Sequence, residues 1–357
     1  MQILINIAAT FAFMFWPMMF MMSPMMLGAP GADNDKDQLK TVILLLSYPI
    51  GISIFFWLFG IHYFGIDGFT LTIISSGIIA IALSIFGYFG MLLNLYRGIA
   101  NSGYSVANHK VYYDAKLIKA ADSDSFSIFD DDLLRSCSRY AKDKLHFYYN
   151  GKTVEGFGID GIYQRKIGGD TYWFNQNQVL YDDRILIGAN PDNFDSFDEY
   201  TEWTYSISKE QFSVFKYGKR LPAVDKESFI PLSSYLAKDS NHIFKTDEII
   251  LPDADAQSFE LFEDHSFGKD KNHIYYLETK EPFAIQGVDP ASFEILDRGY
   301  LKDINHVYRI IQYEDIEKLE QADVASFEAT PYDEASQSEA RDKNHYYYDG
   351  KIVGNRK

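Results

Sequence analysis

The sequence predicts a mainly β protein: tandem β-hairpin repeats with short capped helical turns, preceded by an α-helical transmembrane segment of three (or two) helices. Three observations support it. A phrase that opens on Asp and closes on an aromatic strand, Tyr-Tyr in its fullest form, recurs with first positions at Asp143, Asp239, Asp270, Asp303 and Asp342, and looser copies begin at Ala107, Asn175 and Ser208. A second phrase, Asp-x-x-Ser-Phe, recurs between its copies. Three long apolar runs precede both. Self-similarity at a period of about 20–50 residues marks stacked supersecondary units. The chain therefore divides into a transmembrane anchor, 1–100, and a repeat domain of about eight hairpin units, 101–357.

The anchor is read from hydropathy. No Asp, Glu, Lys or Arg occurs before Asp33, and Ile3–Leu27, Val42–Ile66 and Leu71–Leu95 each exceed the ~20 apolar residues that span a bilayer. Pro17 and Pro24 interrupt the first run, but membrane helices tolerate proline. The two-helix alternative leaves this run in the interface. A cleaved signal peptide does not fit, because there is no basic leader, the apolar run is too long and further spans follow. Lys36, Lys40, Arg97 and Lys110 fall on one side of the membrane, whereas the N-terminus and the His62–Phe69 loop carry no Lys or Arg. The positive-inside rule then puts the repeat domain in the cytoplasm, with a periplasmic domain as the alternative.

Two anchor features suggest metal chemistry. Met14, Met18, Met22 and Met26 recur every four residues, which puts four thioethers on one helical face, and thioethers suit Cu(I). Methionine is also an ordinary filler of apolar helices. Three-helix copper transporters use such spacing, but the last run here carries Gly87-Tyr-Phe-Gly90 in place of a close-packing Gly-x-x-x-Gly. Asp33-Asn-Asp-Lys-Asp37 begins like a calcium loop. Gln38 then stands at the position of the turn glycine and Leu44 at that of the bidentate acid, so the segment reads as a solvated loop.

In each repeat, the run ending in Ile/Val-Tyr-Tyr alternates and is rich in β-branched and aromatic residues, which predicts a strand. Asn150-Gly-Lys and Asp349-Gly-Lys follow as tight-turn signals. A short second strand comes next, as in Lys152-Thr-Val154. The Asp of Asp-x-x-Ser-Phe caps a helical turn, and Pro290 stands at the first helical position after Asp289. Phe293 and its counterparts are expected in the core between neighbouring units. A lone hairpin is marginal in water, so stability must come from stacking. This part of the chain, roughly 104–357, resembles the bacterial DKNYY family, named for its Asp-Lys-Asn-Tyr-Tyr repeat. The resemblance rests on Asp270-Lys-Asn-His-Ile-Tyr-Tyr276 and Asp342-Lys-Asn-His-Tyr-Tyr-Tyr348 with their flanking Ser-Phe-Glu phrases. It implies the repeated architecture and points to no catalytic residue.

The formal charge of −17 lies almost entirely after Tyr96, and it repels phosphate backbones, so no nucleic-acid partner is expected. Cys137 is the only cysteine, which excludes an intrachain disulfide. His146, His242, His273, His306 and His345 share one repeat position and so read as scaffold, with a metal-binding imidazole ladder as the rival; the repeated Asp reads as a turn residue satisfying backbone N–H groups. His109 is shifted by one place and His265 lies outside the phrase. Acid pairs such as Asp130-Asp-Asp132 and Asp253/Asp255 read as solvated charge. Gly156-Phe-Gly-Ile-Asp-Gly161 has dinucleotide-loop spacing but no helix after it. The reading is a non-enzymatic, membrane-anchored repeat protein of the bacterial cytoplasmic membrane, without cofactor or metal. Its partners are the lipid bilayer and a protein docked on an acidic, Tyr-rich surface. The alternatives are an immunity-type protein that neutralises a toxin, and Cu(I) handling through Met14, Met18, Met22 and Met26.

Overall fold

The computed structural model describes residues 2–29, 31–129, 139–197, 202–207, 211–311 and 315–356. Asp130–Asp132 and Cys137 lie outside them. The chain forms two compact units, 1–162 and 163–357, the first holding the four α-helices found among the described residues.

Helix α1 covers Gln2–Leu27, α2 Lys36–Leu58, α3 Gly68–Ile85 and α4 Tyr88–Tyr96. The first three are long and apolar enough to cross a membrane. Helix α1 stays continuous through Pro17 and Pro24. Pro24 has no N–H to offer the Phe20 carbonyl, and that oxygen instead accepts from Ser23 Oγ at 2.7 Å and the Tyr88 hydroxyl at 3.4 Å. Asp35 caps α2, accepting from the N–H groups of Asp37 (3.0 Å) and Gln38 (2.8 Å). The acidic run at Asp33–Asp37 is thus a turn and a helix cap.

Hydropathy misplaces two boundaries. The run Val42–Ile66 leaves the helix after Leu58, turns at Gly60 (φ 62°) and closes a small hairpin pairing His62–Tyr63 with Ile66–Asp67. The run Leu71–Leu95 is not one span. Gly87 adopts φ 73°, a conformation open to glycine at little cost, and separates α3 from α4. Apolar composition alone carries no record of either break.

The repeats form eight antiparallel sheets, the first of three strands (104–117) and the others of four, at 127–153, 163–185, 194–220, 230–250, 260–284, 294–318 and 328–355. Each four-stranded unit is a meander, so it carries two more strands than the single hairpin read from sequence. Those extra strands are often only two residues long, as at Ser127–Ile128 and Glu260–Leu261, too short to show alternation. The tight turns form as expected. Tyr149 pairs with Lys152 and Tyr348 with Lys351, across Asn150-Gly151 and Asp349-Gly350, all four with positive φ.

Within each of the two units, stacking places the Ser-Phe ring between neighbouring sheets. Phe126 lies 5.6 Å from Tyr104 and 5.7 Å from Tyr148. Phe229 contacts Trp203 and Phe244, and Phe327 contacts Tyr300 and Tyr347, in the same arrangement. The strand facing the ring keeps a small buried residue in several units: Ala141, Ala237, Gly268 and Ala340. At Gly268 a Cβ would stand 2.3 Å from Phe259 Cζ. Gly151 meets the same demand and adds a positive φ of 74°: a Cβ there would stand 2.6 Å from Tyr113 of the preceding sheet.

Two substitutions probe this joint from opposite sides. Phe259→Ala is expected to cost about 3–5 kcal/mol through the cavity it leaves. Gly268→Ala should cost about 1–3 kcal/mol by overpacking the same ring. The two should be non-additive in urea unfolding of the full chain in detergent, because the methyl fills part of the vacated space. Additive losses would refute the packing.

Candidate functional site

The recurring Asp organises each unit's polar chemistry. Asp143, Asp239, Asp270, Asp303 and Asp342 are all buried. In each, Oδ1 accepts the backbone N–H groups two and three residues on, as Asp270 does from Asn272 and His273 at 2.7 Å each. This is the turn role expected from sequence. Oδ2 does something less local: it accepts the N–H of the Asp that opens the Asp-x-x-Ser-Phe phrase. The pairs are Asp122 to Asp143, Asp225 to Asp239, Asp255 to Asp270, Asp289 to Asp303 and Asp323 to Asp342, at 2.8–2.9 Å. In four of the five, the Tyr five residues on also donates its hydroxyl to Oδ2, as Tyr275 does at 2.7 Å.

A second tie runs beside the first. The Ser of Ser-Phe accepts the N–H of the residue after the buried Asp, from Ser125–Lys144 at 3.0 Å to Ser326–Lys343 at 2.9 Å. The basic residue before the Asp pairs across the strand with the Glu after Phe: Lys269–Glu260 at 3.3 Å, Lys302–Glu294 at 3.0 Å and Arg341–Glu328. Sequence reading gave neither Ser nor Glu a role, although both recur in register.

The electrostatics follow from these bonds. Burial alone would raise the Asp143, Asp270, Asp303 and Asp342 carboxyls, but the tyrosine and backbone donors outweigh it and hold each below its ordinary 3.8. Burial and the carboxylate push the Tyr148, Tyr275, Tyr308 and Tyr347 hydroxyls up, so they remain donors.

The five histidines sit at these same turns, each with Nδ1 3.3–4.0 Å from its own Asp Oδ1 and its ring part-exposed. Each thus belongs to one latch. His109 lies in the tight turn between Ala107 and Lys110, with Nδ1 3.9 Å from Asp124 Oδ1. His265 accepts the Tyr235 hydroxyl on its carbonyl. Asp255 bonds Ser258 and Lys271, which hold its carboxyl down to about 2, with the Lys271 contact the larger cause. Gly161 leads into the strand Tyr163–Ile167. In α1, Met14, Met18 and Met22 are exposed on the outside of the helix cluster, while Met26 packs against its core. Among the described residues, no group of three or more His, Cys, Asp or Glu is placed to hold a metal ion.

Where the phrase departs from Tyr, a cation takes over. Lys216 lies across from Trp203 as Tyr276 lies across from Phe267, is buried, and bonds Glu202 at 2.9 Å beneath the rings of Trp203 and Tyr217. Burial lowers its pKa, and the Tyr217 hydroxyl and Lys216 hold Glu202 down. At the corresponding place, Lys245 donates to the carbonyls of Leu277 and Thr279 in the next sheet's turn, at 2.7 and 2.8 Å.

Buried latches in register, aromatic wedges between sheets and cross-strand ion pairs define a tandem β-repeat protein. The DKNYY family model matches residues 104–279 and 208–351, and the chain belongs to the DKNYY family. No curated protein and no solved structure matches it.

Asp270→Asn should cost about 2–4 kcal/mol, because an amide nitrogen would face N–H and O–H donors. Lys271→Ala, which breaks an exposed pair, should cost no more than about 1 kcal/mol. Equal losses in urea unfolding would reject the latch. The pH dependence has a fixed sign. These carboxyls are lower in the folded chain than in the unfolded one, so their contribution is complete near neutrality and is lost as pH falls below 3.8 through the folded values. Wild type should therefore lose stability in that acid range more steeply than Asp270→Asn, and parallel curves would contradict this.

Proposed function

We propose that this protein is a membrane-anchored scaffold whose repeat domain binds a protein partner and performs no catalysis. The observation behind this reading is that the recurrent Asp, His, Tyr and Ser side chains are engaged within their own units, as latches and wedges. What faces outward is charge of mainly one sign, on a chain of net −17. The tyrosines of the phrase are buried or half-buried apart from Tyr348, and Tyr163, Tyr217 and Tyr332 outside it are exposed. The offered surface is therefore more acidic than aromatic, which suits a basic partner and steers its approach.

Three membrane-length helices support the anchor, and the positive-inside rule favours a cytoplasmic repeat domain in a bacterial inner membrane. Two measurements test the reading. Proteolysis at the Lys357 end should occur only after the cell membrane is opened, and cleavage in intact spheroplasts would put the domain on the outer face. Crosslinking in intact membranes, followed by purification in detergent, should recover a basic protein whose yield falls with salt. Turnover of a metabolite by the purified protein, with no specific crosslink, would overturn the proposal.

A further inference from the structure

The helix cluster meets the first sheet at Asn101. Its Nδ2 donates to the carbonyl of Leu27, the last residue of α1, at 3.0 Å, and to the carbonyl of Met91 in α4 at 3.1 Å. Its Oδ1 accepts from Asn94 Nδ2 of α4 at 2.9 Å. The Leu27 carbonyl has no partner within its own helix, because the last carbonyls of a helix lack one. Immediately beyond, the Ala100 N–H donates to Ser105 Oγ in the first strand at 3.0 Å. Ile99, Ala100 and Tyr104 are buried around this point.

Only a carboxamide has two donors and an acceptor on one short side chain; Asp lacks the donors and Ser has one. We infer that Asn101 is a clasp joining the ends of α1 and α4 to the first hairpin sheet, so that these helices and that sheet move as one body. Tyr104 carries the connection further. Its hydroxyl donates to the Arg139 carbonyl at 3.2 Å and accepts the Gly151 N–H at 2.9 Å, which ties in the second sheet. A shift of α1 against α4 therefore displaces the first two sheets directly.

Amide hydrogen exchange on the full chain in detergent micelles tests it, comparing wild type with Asn101→Ala. Exchange should accelerate on the order of tenfold at both Tyr104–Ala107 and the last turn of α1, while the sheet at 230–250 keeps its wild-type rates. Unchanged exchange at either place, or acceleration at one without the other, overturns the clasp. Should Asn101→Ala not accumulate, Asn94→Ala, which removes a single contact, must show the same paired acceleration at smaller amplitude. Its failure to do so is equally fatal.

Discussion

A buried carboxylate ringed by hydrogen-bond donors is the constraint on which the repeat domain depends. Taking an aspartate out of water is costly unless donors surround it, and here two turn amides, a distant amide and usually a tyrosine hydroxyl do so. The geometry leaves little freedom. Oδ1 fixes the turn between the two central strands, and Oδ2 fixes where the connecting segment must pass. The Asp-x-x-Ser-Phe segment is then held at both its Asp and its Ser, which aims the Phe ring between sheets. One side chain thereby sets the turn, the crossover and the core wedge.

This arrangement explains how small meanders with edge strands of two residues persist. Each sheet alone buries too little apolar area to be stable, and the rings between sheets supply the shared core. Size complementarity is enforced locally, as Phe259 against Gly268 shows. The tight-turn glycines serve two demands at once. Gly151 and Gly350 need positive φ for the turn, and each also lies close under a side chain of the preceding sheet, Tyr113 and Arg309 respectively. The first, third and fourth copies lack the aspartate: Asn175 keeps the turn bonds in the third, and Lys216 with Glu202 adds a buried ion pair in the fourth.

The helical part, whose first three helices are long and apolar enough to cross a membrane, is registered by a few polar contacts. Ser53 with Ser75, Trp16 with the Leu46 carbonyl and Tyr88 with the Phe20 carbonyl do this work. Asn101 extends the same logic to the junction with the repeats.

The linear chain alone determined the period, the tight turns, the role of Asp at its own turn, the wedge position of Phe293 and its relatives, and three membrane-length runs. These rest on interactions within a few residues, and repetition reinforces each one. Tertiary structure decided the rest. The second oxygen of each Asp finds its partner 14–21 residues upstream, a pairing that local propensity does not encode. The same holds for the additional short strands, the break at Gly87 and the clasp at Asn101. Each depends on which surfaces meet after folding, where one backbone amide or one missing Cβ outweighs composition.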